Sequence, residues 1–252
     1  MITLIKAEIR KMLFRKGVLI SWIISLLLGT VLIHNGTVSE VYADTFFKSY
    51  GYTPIIGLLM FMILSGSYTI EYDSNMKDLI NSTKNGKKKL VIAKAIGAGI
   101  AASIVNVSIV IIIYLDAVRK AGPEGLYMPL KDLWYFSETN SDLNVLQMMI
   151  IVIISVIIGS FFFAQLGLYL SSRSKSATMP FIVGGLIMGT PYILQGFIPA
   201  EINIFTPLSG MMSSEIIRNN GGPSVYLFQG IVLIVGGITF YKLSYNRFIN
   251  EN

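Results

Sequence analysis

The stretch EYDSNMKDLINSTKNGKKKLVIAK, Glu71 to Lys94, decides how this chain is read. It is polar and rich in lysine, and it separates two long apolar segments. In its first half Met76, Leu79 and Ile80 fall at i, i+3 and i+4, the spacing of one helical face. Its second half, Lys84 to Lys89, is a basic turn around Gly86. The pattern predicts a short amphipathic helix and a turn on the watery side of an apolar protein, placed to dock a soluble partner.

The rest of the chain supplies the apolar setting. Of 252 residues, 53% are hydrophobic and 13% charged, against about 25% charged in soluble domains; the mean hydropathy is +0.65. Six intervals hold no Asp, Glu, Lys or Arg: 17–39, 49–70, 95–115, 143–172, 176–200 and 219–241. The shortest has 21 residues, and the next interval down, 202–214, has 13. A helix needs about 20 residues to cross the hydrocarbon core. The expectation is an all-α membrane protein, a single transmembrane domain over 1–252, with spans near 17–33, 54–70, 95–115, 145–170, 178–198 and 225–241.

Basic residues orient the spans. With the N-terminus inside, segments 1–16, 71–94, 173–175 and 242–252 face the cytoplasm and carry 15 of the 20 Lys and Arg. Both termini are therefore expected in the cytoplasm. The net charge of +6 is a topology signal rather than a nucleic-acid footprint. The absence of cysteine excludes disulfides and thiol chemistry. The first apolar run is longer than a signal-peptide core, so it is read as a retained span.

In chain order, residues 1–16 form an amphipathic segment. Leu4, Ile5, Ile9, Met12 and Leu13 share a face, which predicts a helix lying in the inner interface. Residues 34–53 read as a short outer loop, with Pro54 opening the second span. The third span opens on small residues, Ala95 to Ser103, that let backbones approach closely. The outer loop 116–142 carries Trp134, Tyr135 and Phe136, an interfacial anchor or a lid. Gln147 and Gln165 fall near the ends of the fourth span, where they cost little. The density of Pro and Gly in the fifth predicts a kinked helix. Segment 199–224 reads as a re-entrant or interfacial helical hairpin broken at Pro207. No span interior carries a charge, which argues against a carrier driven by its own ion coupling. There is no phosphate-binding G-x-x-x-x-G-K-[ST] loop, and one histidine makes H-E-x-x-H impossible, so no catalytic or metal site is expected.

With this layout in view, the chain resembles the membrane subunit of type-2 ABC exporters, the ABC-2 permease family. The resemblance covers essentially the whole chain. Locally it rests on Glu71 leaving the second span, Leu79, Ile80, Ser82 and Thr83, basic Lys87 to Lys89, and Lys94 entering the third span. Phe205-Thr206-Pro207-Leu208 is similar to the family's outer proline step. Ala93 stands where the family commonly has glycine, and the proline usual after the coupling helix is missing.

The resemblance implies a cytoplasmic coupling helix from about Asp73 to Thr83, with Asp73, Met76, Asp78, Leu79, Ile80, Ser82 and Thr83 docking an ATPase. It implies two copies of that separate ATPase, which would hold ATP and Mg, and a second membrane subunit, a homodimer being the simplest case. No cofactor is implied on this chain. Glu71 would pair with Arg10 or Arg15 at the inner boundary, or would simply mark the end of a span. The setting implied is the bacterial cytoplasmic membrane, and the cargo an amphipathic or hydrophobic peptide, as in toxin export or lantibiotic self-protection. Ser65, Ser67, Asn106 and Ser108 would line the pathway, although the same residues read equally well as packing. The alternative function is a membrane sensor that binds an extracellular peptide through loop 116–142 without moving it.

Overall fold

A computed structural model describes residues 1–68, 86–174 and 176–250. Among these, every regular element is helical, and the single β-type contact is an isolated bridge between Pro129 and Asn144. The longer helices are α1 (Ile2–Leu13), α2 (Lys16–Gly29), α3 (Val38–Gly51), α4 (Thr53–Leu64), α5 (Gly86–Ala121), α6 (Val145–Arg173), α7 (Thr178–Leu194) and α11 (Pro223–Asn250). Three short helices precede α11: α8 (Ala200–Asn203), α9 (Pro207–Met211) and α10 (Ser214–Arg218).

Helix α5 is the centre of the bundle and packs against α1, α2, α3, α4, α6 and α11. The small residues at its lysine-rich end make this possible. Ala93, Ala95, Gly97, Ala98, Gly99, Ala101 and Ala102 are all buried. A Cβ on Gly97 would stand 3.2 Å from Cβ of Glu8 and 3.5 Å from the carbonyl oxygen of Ile5, so α1 crosses α5 where a glycine admits its backbone. Peripheral helices show the opposite pattern. Ile20, Ile23, Ile24 and Leu27 of α2 and Leu227, Ile231, Ile234 and Val235 of α11 are exposed. Helices apolar on all sides belong in lipid.

Three helices, α5, α6 and α11, are long and apolar enough to cross a membrane, and two bent pairs raise the number to five. The fifth predicted span, α7, has 17 helical residues, about 25 Å of rise against a hydrocarbon core of about 30 Å. It continues unbroken past Pro180 and ends at Leu194, three residues after Pro191.

The bent pairs correct the sequence reading in one place and support it in another. Residues 34–53 are not a loop. They are mostly α3, capped by Thr37, whose side chain accepts from the Glu40 backbone while Glu40 accepts from the Thr37 N–H. Glu40, Asp44 and Lys48 recur at i+4, and this amphipathic charge pattern hid the helix from a search for charge-free runs. α3 meets α4 at a 41° bend. The cause is Pro54: it has no N–H to give the carbonyl of Tyr50, and the Thr53 hydroxyl donates to that carbonyl instead, at 2.5 Å. α1 turns by 71° into α2. That is the geometry expected of an interfacial helix entering a span, and Met12 and Leu13 of its apolar face are buried against the bundle.

At the end of the bundle away from the lysines, α3, the 116–142 segment and α10 form a cap. Phe136 is fully buried against Phe46, ring centroids 5.1 Å apart. Tyr135 is buried and donates its hydroxyl to Glu215, with Arg218 stacked 4.6 Å above its ring. Trp134, half exposed, leans on Phe47. Asn220, at φ 53°, sews the two loops together: its Nδ2 donates to the Glu138 carbonyl and its Oδ1 accepts from the Asn140 N–H. Pro207 opens α9 rather than breaking a hairpin.

Burial pushes the Glu215 carboxyl above the usual carboxylate range, against the pull of the Tyr135 hydrogen bond and the Arg218 charge. A carboxyl with a raised folded pKa contributes stability that is complete below its unfolded value, about 4.3, and is lost as pH rises through the folded value. The thermal midpoint of the wild type minus that of Glu215→Gln should therefore fall between about pH 4 and pH 7.5. Thermal melts of both proteins in detergent check this, and a flat difference contradicts it.

Candidate functional site

Residues Ser65 to Tyr68, the last described before the polar 69–85 stretch, sit in a buried polar constellation at the lysine-rich end. α4 ends at Leu64. Ser65 is extended, and Gly66 takes φ 74°, a conformation that turns the chain sharply and suits a residue without Cβ. The Arg15 guanidinium, from the α1–α2 joint, donates to the Ser65 carbonyl at 2.9 Å. The Tyr68 N–H donates to Ser171 of α6 at 3.2 Å, the Ser244 hydroxyl of α11 donates to the Tyr68 hydroxyl at 3.2 Å, and the Phe248 ring lies 5.0 Å away.

Lys94 holds the centre. It has no solvent exposure. Its Nζ donates to Glu8 Oε2 at 2.9 Å and to the Ser67 carbonyl at 2.8 Å, and it sits 5.6 Å from the Tyr68 ring. Glu8 is itself buried, with Lys11 at 4.0 Å as a second cation. The pair ties α1 to α5 beside Gly97, and the Ser67 bond ties both to the last described residues before 69–85.

Sequence reasoning did not find Glu8. A signal was present, because Leu4, Glu8 and Met12 lie at i, i+4 and i+8, so the carboxylate sits inside the apolar stripe. The boundary relay was placed on Glu71 with Arg10 or Arg15. Glu71 lies outside the described residues, Arg10 is exposed, and Arg15 is engaged with Ser65. The docking residues Asp73, Met76, Asp78, Leu79, Ile80, Ser82 and Thr83 also lie outside the described residues.

The proposed pathway residues occupy three separate places. The Ser65 and Ser67 hydroxyls bond back to the carbonyls of Met62 and Leu64 at the end of α4. Asn106 is fully buried between α4 and α6, where its Nδ2 donates to Ser160 at 2.8 Å and contacts the Met60 sulfur at 3.4 Å. Ser108 faces α2 and accepts from Trp22 Nε1 at 2.9 Å. The charges nearest the apolar interval of α5 are Lys94 and Asp116, 22 residues apart, or about 33 Å along a helix. They bracket one membrane thickness rather than interrupt it. Asp116 is buried and pairs with Arg119 at 2.6 Å and Lys120 at 2.9 Å. Among the described residues no group of three His, Asp or Glu is placed to hold a metal.

No protein-family model matches this chain, and no curated protein matches its sequence.

Removing one partner of a buried ion pair strands the other charge, at about 3–5 kcal/mol. Lys94→Met should lower the thermal midpoint sharply, and adding Glu8→Gln should recover a large part of the loss. A double-mutant cycle on thermal unfolding measures the coupling. Additive losses would mean that the two side chains do not stabilise each other.

Proposed function

We propose that the chain is the membrane-spanning subunit of an ATP-driven exporter of the ABC-2 type. In this reading α2, the α3–α4 pair, α5, α6, α7 and α11 make six crossings, α1 lies in the inner interface, and both termini are cytoplasmic. The membrane is the bacterial cytoplasmic membrane. The polar stretch 71–85 is the coupling segment, on which a separate ATPase docks, with ATP and Mg bound to that partner and a second membrane subunit completing the assembly. The cargo is amphipathic or hydrophobic, with peptides the favoured class.

The observation that carries the reading is the mechanical tie at the root of that stretch. The residue pair Glu8–Lys94, the Ser67 carbonyl and the Arg15–Ser65 bond join α1 and α5 to the end of α4, just before the polar segment departs. A push on the segment would reach three helices at once. The cap at the other end works against the sensor alternative: Tyr135 and Phe136 are packed inward, which leaves Trp134 alone as the exposed member of the aromatic trio.

The test is co-purification and reconstitution. The wild type should hold a nucleotide-hydrolysing partner and move an amphipathic peptide in vesicles on addition of ATP. Leu79→Asp with Ile80→Asp should abolish partner binding, because two charges on a docking face resist desolvation. Lys94→Met should retain the partner and lose transport. Transport by the purified chain with no ATPase present would overturn the proposal.

A further inference from the structure

A groove between α5, α6 and α11 has no assigned role. It lies at the lysine-rich end of the bundle, encloses about 500 Å³, and is lined by Ile96, Ile157, Phe161, Ile234 and Ile238 among other apolar residues. Ligand cavities commonly hold about 300–1,000 Å³. Ile157, Ile234 and Ile238 are partly exposed, so the groove opens sideways toward lipid. Besides the Tyr241 phenol, the polar residue in its lining is Gln165, 8% exposed. Its Nε2 donates to the Ala95 carbonyl at 3.0 Å, and its Oε1 has no partner. The sequence puts Gln165 near a span end, where a polar side chain costs little. The structure places it inside, with a bare acceptor in an apolar slot.

An acceptor left bare in hydrocarbon has no water to turn to. Bilayer alkyl chains fill an apolar groove but cannot donate a hydrogen bond. We propose that this groove binds a neutral single-chain amphiphile drawn from the membrane, its alkyl chain against the isoleucines and a hydroxyl group donating to Gln165 Oε1. The groove presents no cation or anion, so a charged headgroup gains nothing there. The groove uses neither Glu8 nor Lys94, and the proposal stands whether or not the chain works with an ATPase.

The experiment uses the full chain in detergent and a long-chain alcohol bearing a diazirine on its alkyl chain. Cross-linked residues are mapped by peptide mass spectrometry. Label should appear on the groove residues of α6 and α11, and the unlabelled alcohol should compete about tenfold better than its methyl ether, which has the same chain and no donor. Gln165→Leu should erase that preference for the alcohol. Gly237→Leu should block labelling while keeping Gln165, because a Cβ there meets nothing closer than the Phe162 Cα at 3.7 Å and its side chain would fill the groove. Equal competition by alcohol and ether, or labelling of these residues undiminished in Gly237→Leu, would overturn the proposal.

Discussion

One buried charge pair sets the position of the N-terminal helix, and much of the lysine-rich end follows from it. Lys94 and Glu8 meet at 2.9 Å with almost no access to solvent. Such a pair contributes little net stability, because both ions give up hydration to form it. What it contributes is register. Sliding α1 by one turn along α5 would leave a carboxylate and an ammonium group each facing hydrocarbon. Gly97 adds a steric preference at the same crossing, since a Cβ there would stand 3.2 Å from the Glu8 Cβ and press on α1. Charge and shape together favour the observed arrangement.

The same economy appears at the opposite end. Asp116 closes the apolar run of α5 and is neutralised by two cations of its own helix, while Lys120 also reaches the Ile33 carbonyl beyond α2. The cap then buries aromatic rings from segments far apart in sequence, with Glu215, Arg218 and Tyr135 interlocked. Between the ends the bundle is dry and small-sided, and its polar side chains are spent on each other, Asn106 with Ser160 and Trp22 with Ser108. Some acceptors stay open even so, Asn106 Oδ1 and Gln165 Oε1 among them.

Composition made α5, α6, α7 and α11 legible, because a helix that must sit in hydrocarbon excludes charge whatever its neighbours are. α3 was illegible by the same rule. Glu40, Asp44 and Lys48 line one face of it, and a search for charge-free runs discards an amphipathic helix. The 71° turn between α1 and α2 was foreseeable from an amphipathic stretch followed by an all-apolar one. The partners of Glu8 and Lys94 were not, since a single acid on a basic segment looks solvated until the helix that covers it is known. The serines read as pathway candidates bond to backbone carbonyls of their own helices. Their hydrogen bonds to the preceding turn depend on local geometry that composition does not carry.

Helix α5 runs for 36 residues without a break, from the lysine-rich end to the cap. Its fully buried residues run from Ala93 to Ala117, so neighbours hold it along most of its length. A helix gripped over so much of its length, in an interior that transmits strain, has no hinge of its own. A shift at Lys94 would travel toward Asp116 through the rod as a whole.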